Sequence, residues 1–200
     1  MKQHVIPSDW VKKPVAIVAS GSSVLSFDFS KIEHMPVVAV KDGYLAYPTA
    51  DVLIVGDPKY AKRNTDFEAY LGPTILYTDP DHVCPWDDSR IEFIPKVKGD
   101  GLSSSKLALR GSFSTVCLAI NYAYLRGSRD LYLIGVDGKP GPEGQRSFAR
   151  EEKDAWPQRY NRQTWGYQRQ ARHFNRLRLR VTNLNPDSSI KVFPTGSLPS

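Results

Sequence analysis

Four short apolar runs, each ending on small or polar residues, set the pattern of this chain: VAIVAS from Val15, VVAV from Val37, DVLIVG from Asp51 and LYLIGV from Leu131. Runs this short and this continuous suit strands covered on both faces, the habit of parallel sheets. Each run leads into chemistry. Gly21, Ser22 and Ser23 follow the first, Lys41 and Asp42 the second, Asp57 the third and Asp137 the fourth. Open α/β sheets hold their ligands at the carboxyl ends of strands, so the pattern predicts four strand ends converging on polar or acidic groups.

Residues 111–138 change period. Leu118, Ala119, Tyr122, Ala123 and Leu125 cover one broad helical face, and Gly127 supplies a stop before the next strand. The start of this helix is rich in glycine and hydroxyls, with Gly111, Ser112, Ser114 and Thr115 offering N–H and O–H groups where the helix dipole favours an anion. A phosphate is expected there. The Gly21–Ser22–Ser23 turn repeats the logic, but it has neither the full spacing of a dinucleotide fingerprint nor the lysine of a P-loop. It reads equally as a phosphate turn or a tight turn. The predicted fold is α/β: a Rossmann-like, mostly parallel sheet with helices on both faces.

Length and composition add bounds. The 200 residues form one nucleotide-binding domain in this reading, because no Pro/Gly/Ser linker divides them and no internal repeat is visible. The first ten residues lack a signal-peptide core, and no apolar run approaches the roughly 18 residues that span a bilayer, which points to the cytoplasm. Cys84 and Cys117 make no CxxC motif and suggest neither a disulfide framework nor a thiolate zinc site. His4, His34 and His82 have no partner recognisable in the sequence, and His173 reads as a surface or packing residue.

Charge changes the picture more. The formal net charge is +6, yet residues 159–180 hold seven arginines and no acid, so the remainder of the chain is close to neutral. Arg162, Arg169, Arg172 and Arg176 recur near helical spacing, whereas Arg178 and Arg180 alternate with Leu177, Leu179 and Val181 as in a strand. Guanidinium groups interleaved with Tyr160, Trp165, Tyr167 and Phe174 suit DNA or another polyanion. A solvated helix face is the plainer alternative.

Taken together, VAIVASGSS, DVLIVGD, the 111–138 block and VTNLNPDSSIKVFP resemble the superfamily that joins bacterial family 42 sialyltransferases with DUF115 and pterin-pyrophosphokinase-like proteins. The resemblance runs from Val15 to Pro194, and a compact phage or bacterial member is the nearest type. It implies a nucleotide at the switch point of a Rossmann-like sheet. It further implies Gly21, Ser22 and Ser23 in the donor turn, with Lys41 and Asp42 near the nucleotide and Asp57 at an acid position of the DUF115-like branch. Ser112, Ser114 and Thr115 would face the donor, while Asn185, Pro186, Ser188 and Ser189 would border its base or sugar. Where the sialyltransferases carry donor-contacting tyrosines and a late histidine, this chain has Lys139 and Arg146 and, between Ser147 and Gly166, no histidine.

These residues define the expected chemistry. Lys139 and Arg146 would stabilise charge on a departing phosphate, within a Gly/Pro-rich segment, GKPGPEGQRSF, that reads as either a lid or an ordinary loop. Asp137, Asp57 and Asp42 would serve as bases or as ligands of a magnesium ion, or would cap neighbouring helices. The leading expectation is a transferase using a nucleotide-sugar donor and a polyanionic acceptor, such as modified DNA or an anionic glycan. The rivals are an ATP/Mg-dependent pyrophosphokinase-like enzyme and a non-catalytic nucleotide or nucleic-acid binding module. Residues 60–101 show no compelling site and read as an insertion or acceptor-side lobe.

Overall fold

The computed structural model describes residues 2–63, 67–79, 84, 86–111, 113–153 and 157–199. In chain order the elements are β1 (Lys2–Gln3), β2 (Val15–Val18), β3 (Val37–Val40), β4 (Val52–Val55), α1 (Pro58–Arg63), β5 (Thr74–Tyr77), β6 (Ile91–Phe93), β7 (Lys96–Val97) and β8 (Leu109–Arg110). They continue with α2 (Thr115–Leu125), β9 (Asp130–Ile134), β10 (Gln145–Ser147), β11 (Arg150–Lys153), α3 (Pro157–Ala171) and β12 (Arg180–Asn183). Eight strands form one sheet in the order β1-β6-β5-β4-β3-β2-β9-β12, and every pairing in it is parallel.

The order explains the sequence pattern. Strands β2, β3 and β4 lie inside the sheet and are buried at every position, which is why their residues run apolar without alternation. From β2 the chain builds outward through β3, β4, β5 and β6, then returns to lay β9 and β12 on the other side of β2. The strand order therefore reverses at β2, and the crevice such a reversal opens lies at the carboxyl ends of β2 and β9.

The two faces are covered differently. On one, α2, α3 and the turn after α3 bury Val116, Leu118, Ile120, Tyr122, Tyr167 and Phe174 against Ile17, Val38 and Ile54. On the other, short 3-10 turns and α1 supply Val24, Ile32, Tyr44 and Tyr60 against Ala16, Leu53 and Ile75. Helix α2 is buried almost all round rather than along one face, because α3 and the segment leading through β8 cover the side turned away from the sheet. Within it Asn121 is fully buried, accepting from the N–H groups of Ser103 and Arg110 at 2.9 and 2.6 Å. That amide fixes the strand leading into Gly111. Gly127, with φ of 107°, ends α2 as expected, and the N–H groups of Gly127 and Ser128 return to Tyr124 and Ala123.

Residues 60–101 are not a separate lobe. They supply β5 and β6, which continue the central sheet. His4 also departs from expectation: it is buried beside β6, with Nδ1 2.6 Å from Glu92 and Nε2 3.4 Å from the Tyr122 hydroxyl.

Candidate functional site

Asp137, just past β9 and 5 % exposed, gathers three chain segments at the switch point. Its Oδ2 accepts the Ser23 N–H at 3.0 Å and, at a long 3.5 Å, the Ser22 hydroxyl. Its Oδ1 accepts the Ser23 hydroxyl and, at 2.8 Å, the Asn185 amide. Ser188 and Ser189 donate to the Asp137 carbonyl at 3.2 and 2.8 Å, and the Ser188 hydroxyl also donates to Val136 at 2.8 Å. Residues 114 and 48 positions away in sequence are thus tied to one carboxylate by uncharged donors.

Gly21 makes this closure possible. Its N–H donates to Gly135 at 2.9 Å, and a Cβ there would stand 2.5 Å from the Gly135 carbonyl and 2.6 Å from the Asp137 carboxyl. No side chain fits. Beside the cluster opens a cleft of ≈ 140 Å³ lined by Ser23, Ser26, Phe27, Gly135, Leu184 and Asn185. Pockets that enclose a whole small ligand start near ~300 Å³, so this one matches a fragment such as a single ring.

The neighbouring strand ends work differently. Lys41, with φ of 51°, reaches across from β3 to pair with Asp57 after β4 at 2.8 Å. Asp57 also accepts from the Lys59 and Tyr60 N–H groups that open α1. Burial pushes the Asp57 carboxyl up, but the Lys41 ammonium and these N–H groups outweigh it and hold it down at about 2. Asp42 is buried and accepts the Ser147 hydroxyl at 2.9 Å. The Phe148 N–H donates to Ser20 at 3.0 Å. The GKPGPEGQRSF segment therefore leads into a β10–β11 hairpin docked on the rim through Ser147 and Phe148.

Helix α2 begins on this same rim. A Cβ on Gly56, past β4, would stand 3.0 Å from the Thr78 hydroxyl and 3.5 Å from Thr115. The Thr78 hydroxyl is fully buried and, among the described residues, has no hydrogen-bond partner. The Ser114 hydroxyl caps α2 by accepting from Val116 at 3.2 Å and meets the Tyr167 hydroxyl at 2.9 Å. Burial pushes the Tyr167 phenol far up, so it remains a neutral hydrogen-bonding group. Gly111 lies close over α2, since a Cβ there would come within 2.7 Å of Leu118.

The Gly21 and Ser114 turns thus share the carboxyl rim, separated by the end of β3 with Lys41 and Asp42. Thr115 is buried, Lys139 is exposed just beyond Asp137, Ser112 lies outside the described residues, and of Arg146 only its place on β10 is described. Among the described residues, Asp57 and Asp137 join no group of three or more His, Cys, Asp or Glu side chains.

The basic segment divides. Tyr167 meets Ser114, and Gln170 donates to the Cys117 carbonyl at 2.8 Å, so residues 167–170 of α3 meet the first turn of α2. Arg159 and Arg162 lie on the part of α3 that precedes this contact, exposed. Arg169 pairs with Asp100 and lies over the Trp165 ring at 4.4 Å. Helix α3 ends at Ala171, so Arg172 and Arg176 fall in the turns that follow it, and Arg178 adopts φ of 51° just before β12 rather than lying in the strand. Arg180 pairs with Asp130 at the opposite rim.

Sequence reasoning named Asp137, Ser22, Ser23 and Asn185 separately, and their union appears only in three dimensions. It missed Ser147, Thr78 and Asn121, whose polar side chains carry no motif, and it named Tyr167 only as an aromatic of the basic segment, where the structure sets its hydroxyl against Ser114. Among the described residues, no helix is long and apolar enough to cross a membrane.

No protein-family model and no curated protein matches the chain. Solved structures that share its fold include two glycosyltransferases. One is the MAf glycosyltransferase from Magnetospirillum magneticum AMB-1, with TM-score 0.58 and 17% identity over 98% of this chain and 35% of that one. The chain thus spans about a third of that protein's length. The other is the sialyltransferase CstII from Campylobacter jejuni, solved with the substrate analogue CMP-3FNeuAc, with TM-score 0.52 and 11% identity over 92% of this chain and 85% of that one. The Rossmann-like α/β architecture expected from the strand pattern is the fold of this chain, and two glycosyltransferases have it too.

Proposed function

We propose that this chain is a glycosyltransferase-like domain that binds a nucleotide-sugar at the carboxyl rim, between the Gly21 turn and the start of α2. The observation that carries the reading is the closure of the Gly21–Ser23 turn onto Asp137 and Asn185 at the strand-order reversal, where a parallel sheet holds its ligand. In this reading a ring of the donor enters the cleft beside Ser23 and Asn185. Its phosphates pass over the Gly21 turn toward Lys41 and the start of α2, where N–H groups and helix dipole favour an anion. The four bonds on Asp137 make it a positioning residue that shapes the turn.

Lys139 and Arg146 are the proposed cations for the leaving phosphate, which accumulates charge in the transition state. The exposed arginines of residues 159–176 receive a polyanionic acceptor, DNA or an anionic glycan. Likeness to proteins solved as glycosyltransferases, one of them with a CMP-sugar analogue, supports the donor class.

The test is a thermal-shift screen of CMP, UDP, GDP and ATP, with and without Mg²⁺. A ligand at 100 times its Kd adds about 2.7 kcal/mol of native-state stability, worth roughly 5–11 °C for a chain of this size. A shift with CMP or UDP is expected. A shift only with ATP and Mg²⁺ that is lost in Asp57→Asn would select pyrophosphoryl transfer instead, and no shift with any nucleotide would overturn both readings.

A further inference from the structure

The junction of α2 and α3 carries an exposed patch that donor binding leaves unused. Phe113, one residue before the α2 cap, adopts φ of 63° and is 54% exposed. Bulky side chains rarely take this left-handed conformation. Its ring meets that of Trp165, 45% exposed, with centroids 5.0 Å apart and planes tilted by 44°. Two neighbours are accounted for by packing: Arg169 of α3 pairs with Asp100, and the ring of His173, in the turn after α3, lies within 3 Å of where a Cβ on Gly101 would stand. The Phe113–Trp165 rung stands half in solvent.

Charge points to what it meets. Arg162 lies one turn before Trp165 on the same side of the helix, and Arg159 one turn earlier, both exposed. Among the described residues neither has a carboxylate partner, and residues 157–180 contain no Asp or Glu. The rings stand beside the start of α2, on the rim where the proposed donor lies, and Arg162 and Arg159 precede Trp165 on α3.

We infer that Phe113 and Trp165 form a stacking shelf for a pyranose ring of the acceptor, and that Arg159 and Arg162 pair with carboxylates borne by that sugar chain. The inference rests on the glycosyl-transfer reading and names its acceptor class, a uronate- or sialate-type acidic glycan. The two rings are half exposed and offer apolar surface for the C–H face of a single sugar. Successive nucleic-acid bases stack best on repeated parallel faces. Guanidinium binds carboxylate through two parallel hydrogen bonds, which supplies the charge preference.

Calorimetric titration with a hyaluronan tetrasaccharide, maltotetraose and a thymidine decanucleotide tests this. The uronate-bearing tetrasaccharide should bind at least tenfold more tightly than maltotetraose. Trp165→Ala and Phe113→Gly should each weaken it about tenfold or more, and Arg159→Gln with Arg162→Gln should erase its advantage over the neutral glycan. Phe113→Gly should also raise Tm, because glycine accepts the left-handed backbone; a Phe113 needed only for packing would lower it. The nucleotide thermal shift should persist in Trp165→Ala, so loss of glycan binding and failure of the donor reading are separately visible. The shelf is overturned if no glycan binds, if glycan binding survives both ring substitutions, if maltotetraose binds equally well, or if the decanucleotide is the ligand those substitutions release.

Discussion

Two carboxylates stand on the same rim and are held in opposite ways. Asp137 is buried among the hydroxyls of Ser22 and Ser23, the Ser23 N–H and the Asn185 amide, all uncharged. Asp57 is three strands away, one third exposed, and neutralised by Lys41. Asp137 accepts hydrogen bonds that join three segments, so its weight falls on structure. The Lys41–Asp57 pair joins adjacent strand ends and stays partly accessible, so its weight falls on local charge, and in the proposed reading an arriving phosphate would compete with Asp57 for Lys41.

The largest effect that would test this contrast is on stability. Asp137→Ala leaves several buried donors without an acceptor, and a loss of about 2–4 kcal/mol is expected in denaturant unfolding. A loss below 1 kcal/mol would mean that the three segments hold together without it. Gly21→Ala should follow at roughly 1–3 kcal/mol, because the added methyl collides with the Gly135 carbonyl and the Asp137 carboxyl. It should also abolish the nucleotide thermal shift.

Asp57→Asn should cost no more than about 1 kcal/mol, as for a partly exposed pair. The pair has a pH signature with a definite sign. A carboxyl held at about 2 contributes stability above its unfolded value near ~3.9 and loses it as pH falls through about 2. The stability gap between wild type and Lys41→Met should therefore be widest above about pH 4 and close toward pH 2. An unchanged gap would remove Lys41 as the cause of the depressed pKa. The smallest effect on folding belongs to Arg159, Arg162, Arg172 and Arg176. Replacing them by Ala should move stability by no more than about 0.5 kcal/mol while lowering the salt dependence of polyanion binding.

The legible parts of the fold were those whose local sequence decides the outcome. Strands β2, β3 and β4 stand out because burial on both faces leaves nothing but apolar residues, β9 because four of its five residues, Leu131 to Ile134, continue an apolar run, and Gly127 marks the end of α2 because a positive φ closes it. Strands β5 and β6 did not stand out, since TILY and IEF are short and hold polar residues, and their place in the sheet depends on partners far away in the chain. The site was legible one corner at a time. Nothing local to Ser23 indicates that its hydroxyl goes to Asp137, or that the Ser114 hydroxyl meets Tyr167 rather than solvent. Hydrogen-bond partners of small polar residues are chosen by topology, which periodicity does not encode.

The most direct measurement is a backbone amide NMR titration with the nucleotide that gives the largest thermal shift. Binding at the carboxyl rim predicts saturable changes concentrated at Gly21, Ser22, Ser23, Lys41 and Thr115. Changes concentrated at the opposite rim, at Lys13, Arg129 and Arg180, or no saturable change at all, would contradict it.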